Sequence, residues 1–172
     1  MALRFPAKYF SFRLSDSAFV FPLFNGVRRY NVRDMVQISV EYEGDLHCLS
    51  IHGPSLAALA TDAPRDNLGK GEAFSPTDLT ATSLGVCMLT TMAIVAAKQS
   101  LDVELSGTRA IVKKHMTATA PRRIERIEVN VEIPLPESHA ARETLEEAAL
   151  NCPVALSLHP QIERTVIFAW AR

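Results

Sequence analysis

Two cysteines, Cys87 and Cys152, are the strongest candidates for chemistry in this sequence. A cysteine thiolate attacks peroxide and disulfide bonds when a nearby cation or a helix N-terminus favours its formation. Cys87 stands beside Leu84 and Met88 in a stretch without charge, so it is either a buried hydrophobic residue or a nucleophile activated by another segment. The three cysteines of the chain are too few, and odd in number, for a secreted disulfide scaffold, so we expect a reducing, cytoplasmic compartment.

Cys152 is the better placed of the two by local sequence. Pro153 suits the first turn of a short helix that runs through Leu158. The backbone N–H groups of that turn would point at the Cys152 sulfur and favour its thiolate, while simple packing between two helices is the alternative. Cys48 follows His47 on a strand, where neighbouring side chains point to opposite faces, so we expect Cys48 to pack and not to form a dyad.

Other kinds of functional site find no support in the residue spacing. The five histidines are scattered, and neither a His-x-x-x-His nor a Cys-x-x-Cys pattern occurs, so we expect no metal. No Gly-x-Ser-x-Gly elbow or phosphate-binding loop is present. The net charge of −1 gives no case for binding nucleic acid. No uninterrupted apolar run reaches the roughly 18 residues of a membrane span.

Hydrophobic periodicity predicts the elements that position the cysteines. The predicted strands are Val36–Tyr42, Leu46–His52, Leu101–His115, Ile124–Pro134 and Arg164–Trp170, and the predicted helices are Thr77–Gln99, Pro136–Leu150 and Pro153–Leu158. Residues 61–76 are rich in Gly, Pro, Asp and Asn and predict a loop. This order of elements indicates an α+β protein with mainly antiparallel pairing.

The helix that carries Cys87 has a clear start. Ser75 fits the N-cap, Pro76 the first helical position and Asp78 the capping box. Asp78 is explained by this cap, or it acts as a general base or orients a cation. The helix has no charged residue between Leu79 and Ala97, which predicts burial on every side over about 35 Å. Since one short domain cannot cover such a helix, we expect an intertwined homodimer.

The first 35 residues differ from the rest. They are basic whereas residues 36–172 are acidic, and they hold eight of the twelve aromatic residues. We therefore divide the chain into an N-terminal extension, residues 1–35, and a domain, residues 36–172. The extension is translated upstream sequence before a start at Met35, an arm that covers the surface, or a targeting segment.

Two segments resemble the OsmC/Ohr family, the osmotically inducible protein C and organic hydroperoxide resistance proteins. The first runs from Thr61 to Cys87 and includes Ser75-Pro76-Thr77-Asp78-Leu79. The second, residues 148–158, includes Cys152-Pro153-Val154. The order of elements from residue 36 to 170 is also similar. The resemblance implies an OsmC-like intertwined homodimer, with antiparallel sheets around long buried central helices.

The resemblance also implies an activity. Peroxidases of this family reduce organic hydroperoxides with a first cysteine, which corresponds to Cys87 and becomes a sulfenic acid. A second cysteine, corresponding to Cys152, condenses with it to a disulfide. A small dithiol then reduces the disulfide. The implied partners are a hydroperoxide, a dithiol reductant and a second copy of the chain, without a metal, haem or flavin cofactor, a nucleic acid or a membrane.

Two departures from the family pattern concern the surroundings of the first cysteine. Family peroxidases place a glutamate just after the proline of the helix start, where this chain has Thr77 followed by Asp78. They also supply an arginine from an early segment. Residues 36–60 contain no arginine, so Arg65 is the candidate within the domain. Further candidates lie in the extension: Arg28, Arg29 and Arg33.

Two alternatives follow from these departures. One is an OsmC-like protein without peroxidase activity that binds or senses small apolar or thiol-reactive molecules. The other is an interaction or structural dimer in which both cysteines only pack.

Overall fold

A computed structural model describes residues 35–171, and within them the chain has a mixed α+β fold with two small sheets and a long central helix. The elements follow one another as β1 (Ile38–Gly44), β2 (His47–His52), β3 (Ala58–Asp62), α1 (Pro76–Lys98), β4 (Arg109–Met116), β5 (Ile124–Pro136), α2 (Arg142–Leu150), α3 (Pro153–Ser157) and β6 (Glu163–Ala171). A short 3-10 turn, Arg65–Asn67, lies between β3 and α1. The interpretations of the N-terminal extension lie outside the described residues.

The first sheet is antiparallel, with the order β1-β2-β3. The predicted hairpin between β1 and β2 is confirmed. Asp45 and Leu46 at its turn have φ values of 49° and 66°, the signature of a type I′ turn, whose twist matches that of the strands. Thr61 and Asp62, predicted to lie in a loop, instead end β3 opposite β2. This strand has only five residues. So short a segment shows no clear alternation of apolar and polar residues, and the composition of residues 61–76 is typical of a loop.

The second sheet has the order β4-β5-β6. Its central strand, β5, alternates as predicted, because Ile127, Val129, Val131 and Ile133 are all at most 2% exposed. Strands β4 and β5 are antiparallel, whereas β5 and β6 are parallel. The parallel pair arises because α2 and α3 form a crossover between its two strands.

Two elements begin later than the sequence predicts. β4 starts at Arg109 and not at Leu101, because the chain turns at Gly107, where φ is 88°. α2 starts at Arg142 and not at Pro136, because β5 continues to Pro136 and pairs there with β6. In the second case tertiary pairing overrides a local pattern.

Helix α1 starts as predicted. The Ser75 hydroxyl accepts the backbone N–H of Asp78, and the Asp78 carboxylate accepts the backbone N–H of Ser75. This reciprocal capping box satisfies two N–H groups that the helix itself leaves unpaired. Further along, α1 packs tightly on β4: a Cβ at Gly85 would lie 2.7 Å from the Val112 side chain.

Among residues 35–171, the part of the chain that the structure describes, one face of α1 is buried. The buried residues of this face are Ala81, Leu84, Gly85, Met88, Met92 and Ala96. They pack against β4, α2 and α3. On another face, Val86 is 59% exposed and Ile94 is 46% exposed. The described residues of one chain therefore leave part of α1 uncovered, in line with the expectation that a single domain cannot cover it, and burial of the other face in a homodimer stays a prediction.

Helix α1 is long and apolar enough to cross a membrane when only length and composition are considered. The sequence analysis finds no span because serine, threonine and glycine interrupt the apolar runs. The core helix of a soluble protein passes the same test, so length and composition do not assign α1 to a membrane.

Candidate active site

The fold brings the two cysteines singled out in the sequence together. Cys87 lies about three turns into α1, and Cys152 is the N-cap residue of α3. Helix α3 packs against α1, and Cys87 lies near enough to Cys152 to contribute to the raised pKa of the Cys152 thiol. Both cysteines are free thiols.

Burial raises the pKa of the Cys152 thiol above its ordinary value. Cys152 is 0% exposed. The nearby backbone N–H groups of Ala155 and Val154 lower this pKa, which is the effect expected of the N-cap position, but burial and the nearby Cys87 outweigh them. Cys152 therefore keeps its proton.

Cys87 lies half-buried at the edge of the core. Its sulfur is 3.9 Å from the Thr91 hydroxyl, one turn further along α1. The half-buried position of Cys87 leaves its sulfur more accessible than that of the fully buried Cys152. The apolar surroundings of Cys87 suit an organic rather than a strongly hydrated reactant.

Asp78 lies at the start of α1 and is held there by several groups. Besides the capping box, its carboxylate accepts a bond from the Ser75 hydroxyl and pairs with the Lys114 ammonium at 2.7 Å. Lys114 also donates to the Thr77 hydroxyl at 2.8 Å. Burial raises the pKa of Asp78, but the bonds from Lys114 and Ser75 outweigh it, so the pKa lies below its ordinary value. Cys87 lies nine positions after Asp78 in α1, about 13.5 Å along the axis.

We expect Lys114→Met to lower the free energy of unfolding by about 1–2 kcal/mol at pH 7, because it removes a hydrogen-bonded ion pair. The folded pKa of Asp78 lies below its ordinary 3.8. The contribution of this carboxylate is therefore complete above pH 3.8 and is lost as pH falls through the folded pKa.

Urea unfolding of the wild type and of Lys114→Met between pH 7 and pH 3 measures this difference, which is expected to shrink at the acidic end. Lys113→Met is the matched control, since Lys113 is on the exposed side of the same strand. An equal loss of stability in both variants, or a difference that does not change with pH, would rule out the assigned ion pair.

Arg65 is held within its own loop. Its guanidinium donates to the Lys70 carbonyl at 3.0 Å. Its side chain also fills the space beside Gly71, where a Cβ would come within 2.9 Å of it. Gly71 itself has a φ of 65°, which favours glycine. Within one chain, Arg65 therefore stabilises the loop in which it lies.

Arg164 is a cation that the sequence analysis did not single out. It lies in β6, and its guanidinium donates to the Ala155 carbonyl at 2.7 Å. The backbone N–H of Ala155 is one of the two that lower the pKa of the Cys152 thiol. Arg164 therefore positions the turn that surrounds the second thiol. The sequence places Arg164 at the start of a predicted strand, and nothing about that position predicts its contact with Ala155.

Lys114 was also missed, although a signal was present. It lies on the inward-facing side of β4, in line with Ala110, Val112 and Met116. A charged residue at such a position is a sign of a partner. A cleft of about 530 Å³ opens above this point, and its lining includes Glu72, Asp78 and Lys114.

Comparison with known proteins identifies the family. Residues 69–166 match the model of the OsmC-like protein family. A solved structure described as an osmotic stress induced and detoxification response protein of Psychrobacter arcticus 273-4 is 43% identical, with 78% of this chain and 96% of that chain covered and a TM-score of 0.72. The chain belongs to the OsmC-like protein family. No curated protein matches it.

Two more distant structures share the fold of this OsmC-like protein. The organic hydroperoxide resistance protein OsmC of Legionella pneumophila is 16% identical, with 81% of this chain and 99% of that chain covered and a TM-score of 0.64. An organic hydroperoxide resistance protein of Vibrio cholerae O1 biovar eltor str. N16961, with captopril bound in one of its active sites, is 20% identical, with 82% and 96% covered and a TM-score of 0.62. OsmC family proteins are soluble, in agreement with α1 as a core helix.

Proposed function

We propose that this OsmC-like protein is a thiol-dependent peroxidase that reduces organic hydroperoxides, with Cys87 as the peroxidatic and Cys152 as the resolving cysteine. The observation that carries the proposal is the packing of α3, which begins at Cys152, against α1, which carries Cys87, and Cys87 lies near enough to raise the pKa of Cys152. Relatives of the same fold that are named organic hydroperoxide resistance proteins support a role in peroxide stress.

The first step breaks the O–O bond. The Cys87 thiolate attacks one peroxide oxygen, the other oxygen leaves as an alkoxide, and the alkoxide takes a proton to become an alcohol. Cys87 is now a sulfenic acid. Two electrons have passed from sulfur to the peroxide, and no metal or organic cofactor is needed for this transfer.

The second step forms a disulfide. The Cys152 sulfur attacks the sulfenic sulfur of Cys87, its proton joins the departing hydroxyl, and water leaves. A dithiol then reduces the disulfide by exchange and is itself oxidised. The raised pKa of Cys152 suits this order of events, because a protonated Cys152 does not compete with Cys87 for the peroxide.

Turnover with two substrates tests the proposal. With a small dithiol as reductant, we expect kcat/KM for an alkyl hydroperoxide to exceed that for hydrogen peroxide by about tenfold or more, because an apolar group gains by leaving water. Peroxide consumption followed by oxidation of the dithiol measures both constants. Equal values of kcat/KM for the two peroxides would contradict the proposed substrate class. If neither peroxide were consumed, the peroxidase activity would be contradicted.

The same proposal includes a homodimer. Large apolar side chains are exposed both on α1 and on the first sheet: Val86, Ile94, Ile38, Val40 and Tyr42. A second copy is the occupant that the resemblance implies for these faces. Sedimentation equilibrium is expected to give twice the mass of one chain, and Val86→Asp is expected to shift the equilibrium towards monomer. A wild-type monomer at micromolar concentration would exclude this assembly.

The predicted catalytic roles of Asp78 and Arg65 stay predictions. Within one protomer Asp78 is engaged by Lys114 and Arg65 by the Lys70 carbonyl. Any contact of either residue with the Cys87 thiol would therefore come from the partner subunit. We place the protein in the cytoplasm, where reductants keep thiols available.

A binding function without peroxidase activity is the second candidate. The cleft of about 530 Å³ over the start of α1 favours it, since this cleft is lined by residues other than the two cysteines. Such a protein would show ligand-dependent stabilisation and the same peroxide consumption with and without Cys87.

A further inference from the structure

A second cluster of titratable side chains lies on the first sheet, where the proposed peroxidase chemistry does not use it. His47 on β2 and Asp62 on β3 are directly paired across the two strands. Glu72, from the loop that leads to α1, joins them because its backbone N–H donates to the Asp62 Oδ2 atom at 2.8 Å. Three segments of the chain therefore meet at one point.

The imidazole of His47 is oriented by its own turn. Its Nδ1 atom lies 3.0 Å from the Asp45 carbonyl oxygen. A carbonyl only accepts hydrogen bonds, so Nδ1 carries the proton and donates it. In the neutral ring, Nε2 then presents a lone pair. A histidine that ligates a metal through one nitrogen commonly donates its other N–H to a backbone carbonyl in this way.

The lone pair of Nε2 faces two carboxylates. It lies 3.7 Å from Asp62 Oδ1 and 3.4 Å from Glu72 Oε2. The Asp62 side chain is 0% exposed, and among the described residues its Oδ1 atom has no hydrogen-bond partner. A buried carboxylate oxygen without a partner calls for a cation at the point it faces.

The spacing of the three atoms matches that of metal ligands. All three lie within 4.8 Å of one another. Ligands about 2.0–2.1 Å from a tetrahedral zinc ion are about 3.4 Å apart, close to the two separations around Nε2. The Glu72 side chain is 65% exposed, so the ion can enter from solvent, and water would complete its coordination.

We propose that His47 Nε2, Asp62 Oδ1 and Glu72 Oε2 form a binding site for a divalent transition metal ion of the zinc type. One imidazole nitrogen and two carboxylate oxygens are a ligand set that suits this class of ion. The ion would link the β1–β2 hairpin to the loop that leads to Asp78 and the start of α1. This proposal differs from the expectation of no metal. That expectation rested on the spacing of histidines and cysteines along the sequence, which does not reveal ligands that come from three separate segments.

Metal titration of the untagged protein, freed of metal by a chelator, tests the site. We expect calorimetry at pH 7 to show one Zn²⁺ per chain at micromolar concentration. We expect Co²⁺ to give a visible spectrum without a sulfur-to-cobalt charge-transfer band, since no cysteine is among the ligands. A charge-transfer band, or no binding by the wild type, would overturn the proposal.

Variants assign the ligands. His47→Ala is expected to abolish Zn²⁺ binding, and Glu72→Gln, at an exposed position that keeps the backbone bond to Asp62, is expected to weaken it at least tenfold. His52→Ala is the matched control on the same strand, because its ring bonds to Ser55, and it is expected to bind as the wild type does. Wild-type affinity in both His47→Ala and Glu72→Gln would contradict the assignment.

Discussion

Cys87→Ser is expected to lower kcat/KM for an alkyl hydroperoxide about a thousandfold or more. A serine hydroxyl is neither ionised at neutral pH nor able to form a sulfenic acid, so the O–O bond loses its nucleophile. The two side chains have nearly the same shape, and Cys87 is only half-buried. A change in stability is therefore too small to explain such a loss of rate. Dithiol-coupled peroxide consumption by the purified variant measures the effect.

The control for this result is Cys48→Ser. Cys48 is also a half-buried free thiol, but it lies on β2, away from the pair. It is expected to keep the wild-type rate. Undiminished consumption by Cys87→Ser would transfer the activity to another group and would favour the binding function instead.

Cys152→Ser is expected to separate the two chemical steps. The Cys87 thiolate still reduces one equivalent of hydroperoxide, because the nucleophile is intact. The sulfenic acid then persists, since no second sulfur lies against it. Labelling by a sulfenic-acid-specific 1,3-diketone is expected in this variant after a single equivalent, and only weakly in the wild type.

Turnover by Cys152→Ser is expected to fall at least tenfold, because the reductant must now attack the half-buried sulfenic acid itself instead of a disulfide. Loss of the first equivalent as well would mean that Cys152 takes part in the attack on the peroxide. Wild-type turnover without sulfenic acid would mean that another thiol resolves Cys87, and Cys48 is the one that remains.

The elements that the sequence predicts well are those with a strong local cause. The alternation of β5 reflects a strand with one buried face. Ser75, Pro76 and Asp78 specify the start of α1 through a capping box that three residues suffice to build. Pro153 likewise places Cys152 at an N-cap.

The features that the sequence does not predict depend on distant partners. β3 exists because it pairs with β2, and α2 begins late because β5 continues to pair with β6. Lys114 meets Asp78 across a gap of 36 residues in the chain. His47, Asp62 and Glu72 come from three segments. The local pattern of apolar and polar residues does not reveal contacts between distant segments.

The candidate site shows the same division. Cys87 and Cys152 each stand in a recognisable local motif, so the sequence names both. The balance between burial and the N–H groups around Cys152 depends on how deeply α3 is packed, and residue types alone do not give that depth. Arg164 reaches Ala155 only because β6 lies beside α3.

Mass spectrometry of the reduced wild-type protein after one equivalent of an alkyl hydroperoxide tests the central claim most directly. The account predicts that the intact chain loses two hydrogen atoms and that protease digestion yields one cross-linked pair of peptides, containing Cys87 and Cys152. An oxidised protein in which these two cysteines remain unlinked, or in which Cys48 is joined to either of them, would contradict the proposed cycle.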